Sequence, residues 1–454
     1  MKNYSDDRGP DDMGTEGCEK CGDKCGSDDK DKQVPSLEGL NINDKMVLDR
    51  YVERYKDFLD NARTPRQVVD YVEEVALRRG FDEDQIIINE NRSNIVLVNY
   101  AQSPIDEGMR ILGAHVDSPC LHLKVHPIKE GPLGVRLDTQ YYGGIVKHQW
   151  FDQLVNVVGH VIKNGKEIPV DLEGVIIDIA PHINKIAEKK IKDVFKAEDL
   201  DILTGYMKKE DLLNDLGIEE KDFQRAEIYA VPVEKTRVLQ DLIVGYGHDD
   251  RVCVFTQLMA LINSDPSMTS VVFGVDREEI GSTGITGAQS VFFEQAIDQI
   301  ISKKSGKSLS LITQPYEREI LSKSMMLSAD VDIATTFRNE NLVDKTNTKA
   351  GHGLAISTYC GSGGKSNGNQ VTAHFMDYLM NMFDKADAVY QVSGLPSKVD
   401  GGGGGTIAKY FAQKGIKTVD AGVPVAGMHS KTETIHKGDL YQAIRCFQAF
   451  LEAD

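Results

Sequence analysis

Apolar positions recur at helical spacing soon after residue 40. In "TPRQVVDYVEEVALRRG", Thr64 can cap a helix and Pro65 suits its first turn. Val68, Val69, Val72, Val75 and Ala76 then mark one apolar face, and Gly80 ends it. Shorter apolar runs at 94–100 ("NIVLVNY") and 110–118 ("RILGAHVDS") predict strands. Farther on, predicted helices near 252–262 and 287–297 alternate with predicted strands at 269–276 and 324–331. Such alternation implies an α/β domain: a mixed, largely parallel sheet flanked by helices.

Between about 126 and 240 the texture changes. Turn-separated β-like pieces ("GGIVKHQWF", "NVVGHVI", "GVIIDIA", "AEIYAVPV") surround a charged, Leu-containing helical stretch at 195–216. The expected organisation is an α/β domain in two parts, 34–125 and 241–454, with a β-rich dimerisation or assembly domain inserted at 126–240. Residues 1–33 are rich in Asp, Lys and Gly and poor in large apolar residues, so they are expected to form a disordered or loosely docked acidic tail.

Composition narrows the function. The 454 residues are 41% apolar and 27% charged, which suits a soluble protein with a sizeable core. A net charge of −18 argues against nucleic acid or an anionic membrane as the main partner. No run of 18 apolar residues occurs and the N-terminus lacks the apolar core of a signal peptide, so a cytoplasmic location is expected. Four of the seven cysteines, Cys120, Cys253, Cys360 and Cys446, lie among apolar residues and read as buried thiols. "CEKCGDKC" (Cys18, Cys21, Cys25) offers three sulfurs and no nearby His, one ligand short of a closed zinc site.

Candidate chemistry gathers where apolar runs give way to turns. "GAHVDSP" places His115 and Asp117 two apart, on one face if the strand continues. His115 could then bind a metal while Asp117 orients it. "GHDDR" offers Asp249 and Asp250, "LSADVD" offers Asp330 and Asp332, and "GVPVAGMHSKTE" places His429 in a loop. "VFGVDREEIGSTG" sets Glu278 beside Glu279; on a strand, neighbours point to opposite faces. Any one of these is more often structural than functional. As a set, two imidazoles and three carboxylates suit a pair of zinc ions sharing a bridging carboxylate, with one glutamate as ligand and its neighbour as base. Glu278 is assigned as base and Glu279 as ligand.

From about residue 40 to the C-terminus the chain resembles the dinuclear zinc aminopeptidases that include aspartyl aminopeptidase and vacuolar aminopeptidase I. "GAHVDSPCLHLK", "YGGIVKHQWFD", "IAPHIN", "HDDR", "EEIGS", "SAD", "GGGGGT" and "GMHSKTE" carry the likeness, in that order. The resemblance implies an exopeptidase acting on peptides with a free N-terminus, with an inserted assembly domain and self-assembly into a homo-oligomer, a dodecamer. It implies one zinc held by His115 and Asp330, the other by Glu279 and His429, and Asp249 bridging. Asp117 would support His115, and His182 of "IAPHIN" would reach a neighbouring subunit's active site. "HDDR" departs from the family's usual Asp-Asn, which leaves Asp250 as the alternative bridge.

His352 and Lys365 are implied contacts for a substrate carboxylate. Co2+ or Mn2+ could replace Zn2+ in the same ligand set. "YCGSGGKS" only mimics a phosphate-binding loop, because Tyr359 stands where the first glycine belongs. Two other readings are a dinuclear amidase or deacylase on non-peptide substrates, and a catalytically silent assembly protein of the same fold.

Overall fold

The computed structural model describes the chain except residues 1–34, 185–187, 363, 365, 395–397, 399–403 and 454. The acidic tail with Cys18, Cys21 and Cys25, the candidate Lys365 and most of the glycine run at 400–405 lie outside the described residues.

Alternating side chains divide the centre of the molecule. Leu97, Leu112 and Val272 face one core, while their neighbours Val96, Ile111, Val271 and Phe273 face another. These strands belong to an eight-stranded sheet ordered Ile86–Ile88, Ile95–Asn99, Ser270–Val275, Arg110–His115, Met325–Ser328, Lys417–Gly422, Leu354–Ser357 and Tyr390–Ser393. The middle four run parallel. Helices His248–Asn263 and Lys437–Glu452 pack on one face, and Phe292–Ser305 with Gln314–Lys323 on the other. Helix His248–Asn263 is buried on nearly every side, which its apolar run requires. Each fully buried Phe or Leu there contributes roughly 1.5–3 kcal/mol.

The β-rich block closes into a six-stranded barrel of Cys120–Gly131, Gly134–Tyr142, Ile202–Leu203, Lys166–Ile176, Gln153–Lys163 and Ala226–Pro232. Leu121, Val135, Val155, Val157, Val161 and Ile228 fill it. The barrel begins ahead of the expected position 126, because the chain leaves the His115 strand and enters the barrel at Cys120 after a short turn. It ends at Pro232; Arg237–Leu239 pairs instead in a five-stranded sheet with Leu242–Gly245, Glu433–His436, Pro424–Ala426 and Asp332–Ile333.

Three local readings change. "GGIVKHQWF" is not a strand: Gly143 and Gly144 bend the chain and Lys147–Trp150 forms a 3-10 turn around buried Trp150. The helical stretch at 195–216 narrows to Lys209–Leu216, ended by Gly217 at φ 68°. The helix expected at 287–297 starts at Phe292 and continues to Ser305. No helix among the described residues is long and apolar enough to cross a membrane.

Candidate active site

Parallel strands Arg110–His115, Ser270–Val275 and Met325–Ser328 end at one edge, where open α/β sheets place ligands. His115 is the last residue of its strand, and Asp330 follows the end of another by two residues. Asp249 opens helix His248–Asn263, with non-helical backbone that turns it out of the helix. Glu278 and Glu279 lie in a 3-10 turn after Ser270–Val275, and His429 in the turn between Pro424–Ala426 and Glu433–His436. All six side chains line one cavity of about 270 Å³. A larger cavity of about 700 Å³ beside the barrel holds none of the six.

The two glutamates do not divide between opposite faces. Arg277 at φ 65° and the 3-10 turn bring both toward the same cavity. They differ in partner: Glu278 groups with His115 and Asp330, whereas Glu279 Oε1 lies 3.5 Å from His429 Nε2. Asp249 spans the two imidazoles, Oδ1 3.1 Å from His115 Nε2 and Oδ2 3.3 Å from His429 Nε2. Asp330 Oδ1 is 3.8 Å from His115 Nε2. Asp250 does not line the cavity, but its carboxylate lies beside those of Asp249 and Asp330 and accepts the His115 backbone N–H at 3.1 Å.

These residues fit metal ions. Asp249 Oδ1 and Glu279 Oε1 are buried and accept no hydrogen bond, although an imidazole nitrogen stands beside each. Donor atoms held ~2.1 Å from a tetrahedral zinc ion lie about 3.4 Å apart. The separations of 3.1, 3.3, 3.5 and 3.8 Å scatter around that value. Lone pairs that face a common point, not each other's protons, are what an ion needs.

Electrostatics agree. Burial and the nearby Asp330 charge push Glu278 up to about 8. Glu279 is raised by burial and by Asp249. Burial opposes charge on His429, but its contact with Asp249 and the charge of Glu279 lift it to about 10. His115 is raised in the same way, with Asp117, Asp249 and Asp330 outweighing burial. Asp249 is held below the usual carboxylate range, because the two imidazoles outweigh its burial. A divalent cation would reverse the upward shifts of the carboxylates.

A second layer fixes the backbone. Asp117 lies beyond the end of the strand, so its placement does not come from strand alternation. Its carboxylate accepts the N–H groups of Glu278 and Glu279, each at 3.1 Å, and lies 3.4 Å from His115 Nδ1, which also approaches the Asp117 carbonyl at 3.0 Å. Glu433, to which the sequence reading gave no role, accepts the N–H of Asp249 at 3.0 Å and of His429 at 2.6 Å. Burial and the Asp249 charge raise it to about 8. Its signal was present in "MHSKTE", an acid four residues after the candidate His. His429 and Arg277 both hold left-handed backbone, at φ 64° and 65°. Such backbone costs roughly 1–3 kcal/mol per residue, and it is fixed by the hydrogen bonds from the His429 N–H to Glu433 and from the Arg277 N–H to Asp276.

The other candidates stand apart. His352 does not line the cavity; its Nδ1 lies 3.2 Å from the Ala350 carbonyl, in a loop tied down by Asp439. His182 is exposed in the short helix Pro181–Asn184 after barrel strand Lys166–Ile176 and does not line its own chain's cavity. Asp332 does line it, its Oδ2 accepting the hydroxyls of Ser357 and Ser393 at 3.0 Å each.

Residues 58–451 match the family model described as aminopeptidase I zinc metalloprotease (M18). A probable M18 family aminopeptidase 1 of Borreliella afzelii is 33% identical, covering 92% of this chain and 99% of that protein. The crystal structure of an M18 aminopeptidase from Thermotoga maritima superposes with a TM-score of 0.86 at 30% identity, covering 93% of this chain and 99% of that one. A Saccharomyces cerevisiae structure described as a dodecamer shares the fold, with a TM-score of 0.71 at 18% identity over 89% of this chain and 97% of that one. The chain belongs to the M18 family of aminopeptidases, zinc metallopeptidases that hydrolyse peptides.

Proposed function

We propose that this aminopeptidase releases the N-terminal residue of peptides at a two-zinc centre. His115 and Asp330 hold one ion, Glu279 and His429 the other, and Asp249 is shared. The observation that carries the reading is the division of Asp249, one oxygen toward each imidazole. When bound, zinc supplies Lewis acidity that activates water and polarises a peptide carbonyl. Cobalt or manganese would suit the same nitrogen and oxygen donors.

Glu278 is the base in this reading. Its carboxylate takes the proton of the attacking water and returns it to the leaving nitrogen. Its place in the cavity beside His115 and Asp330, one residue from the proposed ligand Glu279, supports that role. Asp117 keeps Glu278 and Glu279 in register by holding their adjacent N–H groups. Lys365 is retained as the contact for a substrate carboxylate. For His352, the loop position of this chain gives that role no support.

The assembled enzyme is a homo-oligomer, a dodecamer in this reading, working in the cytoplasm. Ile179 and Ile183, 56% and 70% exposed, flank His182, and such apolar exposure supports a loop that a second copy covers. His182 would act there, in the neighbour's site.

The test compares aminoacyl chromogenic substrates with their N-acetylated counterparts, before and after chelation. Release only from free amines, lost on chelation and restored by zinc, is the expected result. Equal turnover of N-acetylated substrates would replace an aminopeptidase centre with a general amidase.

A further inference from the structure

One edge of the inserted barrel reaches the metal-type residues of the α/β domain. Tyr142, the last residue of strand Gly134–Tyr142, donates its hydroxyl to Asp117 Oδ2 at 2.8 Å. That carboxylate is the one that holds the N–H groups of Glu278 and Glu279. Two residues on, the Gly144 carbonyl accepts the Nδ1–H of His429 at 2.9 Å. A neutral imidazole that donates from Nδ1 keeps its lone pair on Nε2, the atom that faces Asp249 and Glu279.

The intervening glycines make the approach possible. A Cβ at Gly143, φ +67°, would lie 3.2 Å from both Cβ and Oε2 of Glu279. A Cβ at Gly144 would lie 3.1 Å from His429 Nδ1. A side chain at either position would press on a candidate ligand and displace it by a few tenths of an ångström, and Gly143 also holds left-handed backbone that favours glycine. The Tyr142 ring is itself held by barrel side chains that line the cavity beside the barrel. It stacks on His122 with centroids 4.6 Å apart and planes 10° apart, and His122 meets Tyr229 edge-on at 4.6 Å.

We infer that Tyr142–Gly144 is a positioning strap: the barrel sets the orientation of Asp117, Glu279 and His429, and so tunes the chemistry of a domain it interrupts. Tyr142 acts through Asp117, and Gly144 acts through His429. The inference rests on the two-zinc reading. A plain inter-domain packing contact would affect stability without acting selectively on one ion site or through Asp117.

Tyr142→Phe keeps the ring and its stacking and removes only the hydroxyl; Gly144→Ala adds the methyl against His429. Both are made in the full chain, then read by zinc titration into chelated protein and by kcat and KM taken separately. Tyr142→Phe is expected to keep two zinc equivalents, lower kcat about tenfold and leave KM within about twofold. Gly144→Ala is expected to weaken one ion site by roughly ten- to a hundredfold and spare the other. Combined with Asp117→Asn, Tyr142→Phe adds no further loss, because the hydroxyl then has no carboxylate to position. Wild-type affinities and kcat in both single variants would overturn the strap, as would losses from Tyr142→Phe and Asp117→Asn that multiply. Should Gly144→Ala fail to fold, the Tyr142 and Asp117 cycle still decides. A wild-type protein that takes up no zinc would instead overturn the two-zinc reading itself.

Discussion

At the edge of the parallel sheet, Asp117, Asp249, Asp250, Glu278, Glu279, Asp330 and Glu433 crowd around only two imidazoles, His115 and His429. The nearby buried cation, Arg251, is directed at the carbonyls of Ala62, Tyr246 and Gly247. In the barrel the interior is mostly Val, Ile and Leu, its buried polar groups such as Gln153 are few, and buried Asp138 has Lys129 for a partner. The barrel is stabilised by burying apolar surface, whereas the sheet edge concentrates negative charge that only protons or cations relieve. The candidate site sits where the fold is electrostatically incomplete, and the barrel packs beside it.

The largest effect should come from the sheet edge. Glu278→Gln is nearly isosteric, so the fold and both ions should persist while kcat falls by roughly 10²–10⁴. Steady-state rates beside bound zinc check it.

Chelation should separate the two regions next. If ions bind only the folded state, removing them from a thousandfold excess over Kd costs about 4 kcal/mol. Hydrogen exchange should therefore rise at 115–118, 248–251, 277–282 and 428–433, while barrel strands Gln153–Lys163 and Lys166–Ile176 stay protected. Equal loss of protection in the barrel would mean the two regions unfold as one unit.

The barrel has a pH dependence of its own at His122, whose pKa burial and then Arg277 lower to about 4. The unfolded imidazole titrates near 6.5, so between those values the unfolded chain binds a proton that the folded chain does not. The contribution of His122 is complete above pH 6.5 and is lost as pH falls toward 4, by up to about 3 kcal/mol. His122→Phe, which keeps an aromatic ring between Tyr142 and Tyr229, should flatten the urea-measured stability profile across that range.

The smallest effect belongs to the surface pair joining helix Pro65–Arg78 to the barrel. Arg66 makes two bonds to Glu167, at 3.0 and 2.7 Å, with both side chains partly exposed. Arg66→Ala should cost about 1 kcal/mol or less and leave kcat unchanged; a double-mutant cycle with Glu167→Ala measures the pair.

The strands Ile95–Asn99, Arg110–His115, Ser270–Val275 and Met325–Ser328 were legible because they are short apolar runs between turns, and the cap at Thr64 was readable from its place before Pro65 and a periodic apolar run: its side chain accepts from the Gln67 N–H. The His, Asp and Glu of the cavity were legible because each follows such a run. What strand alternation could not give was the way Glu278 and Glu279 share one cavity, which depends on the left-handed backbone at Arg277. Glu433 escaped notice because it acts on N–H groups across the fold, and nothing local marks a carboxylate with that task. "YGGIVKHQWF" looked like a strand because apolar residues flank its glycines, while the close approach those glycines allow is visible only in three dimensions. The likeness of motif puts His352 near substrate, while in this chain its loop is tied by Asp439 and does not line the cavity.

Bound metal per chain in the wild type, Glu278→Gln and Glu279→Ala, with aminoacyl hydrolysis on the same samples, tests most directly whether adjacent glutamates divide base from ligand. Two zinc ions in the wild type, two in an inactive Glu278→Gln and one fewer in Glu279→Ala is the expected pattern. Near-normal turnover by Glu278→Gln, or full metal content in Glu279→Ala, would contradict it.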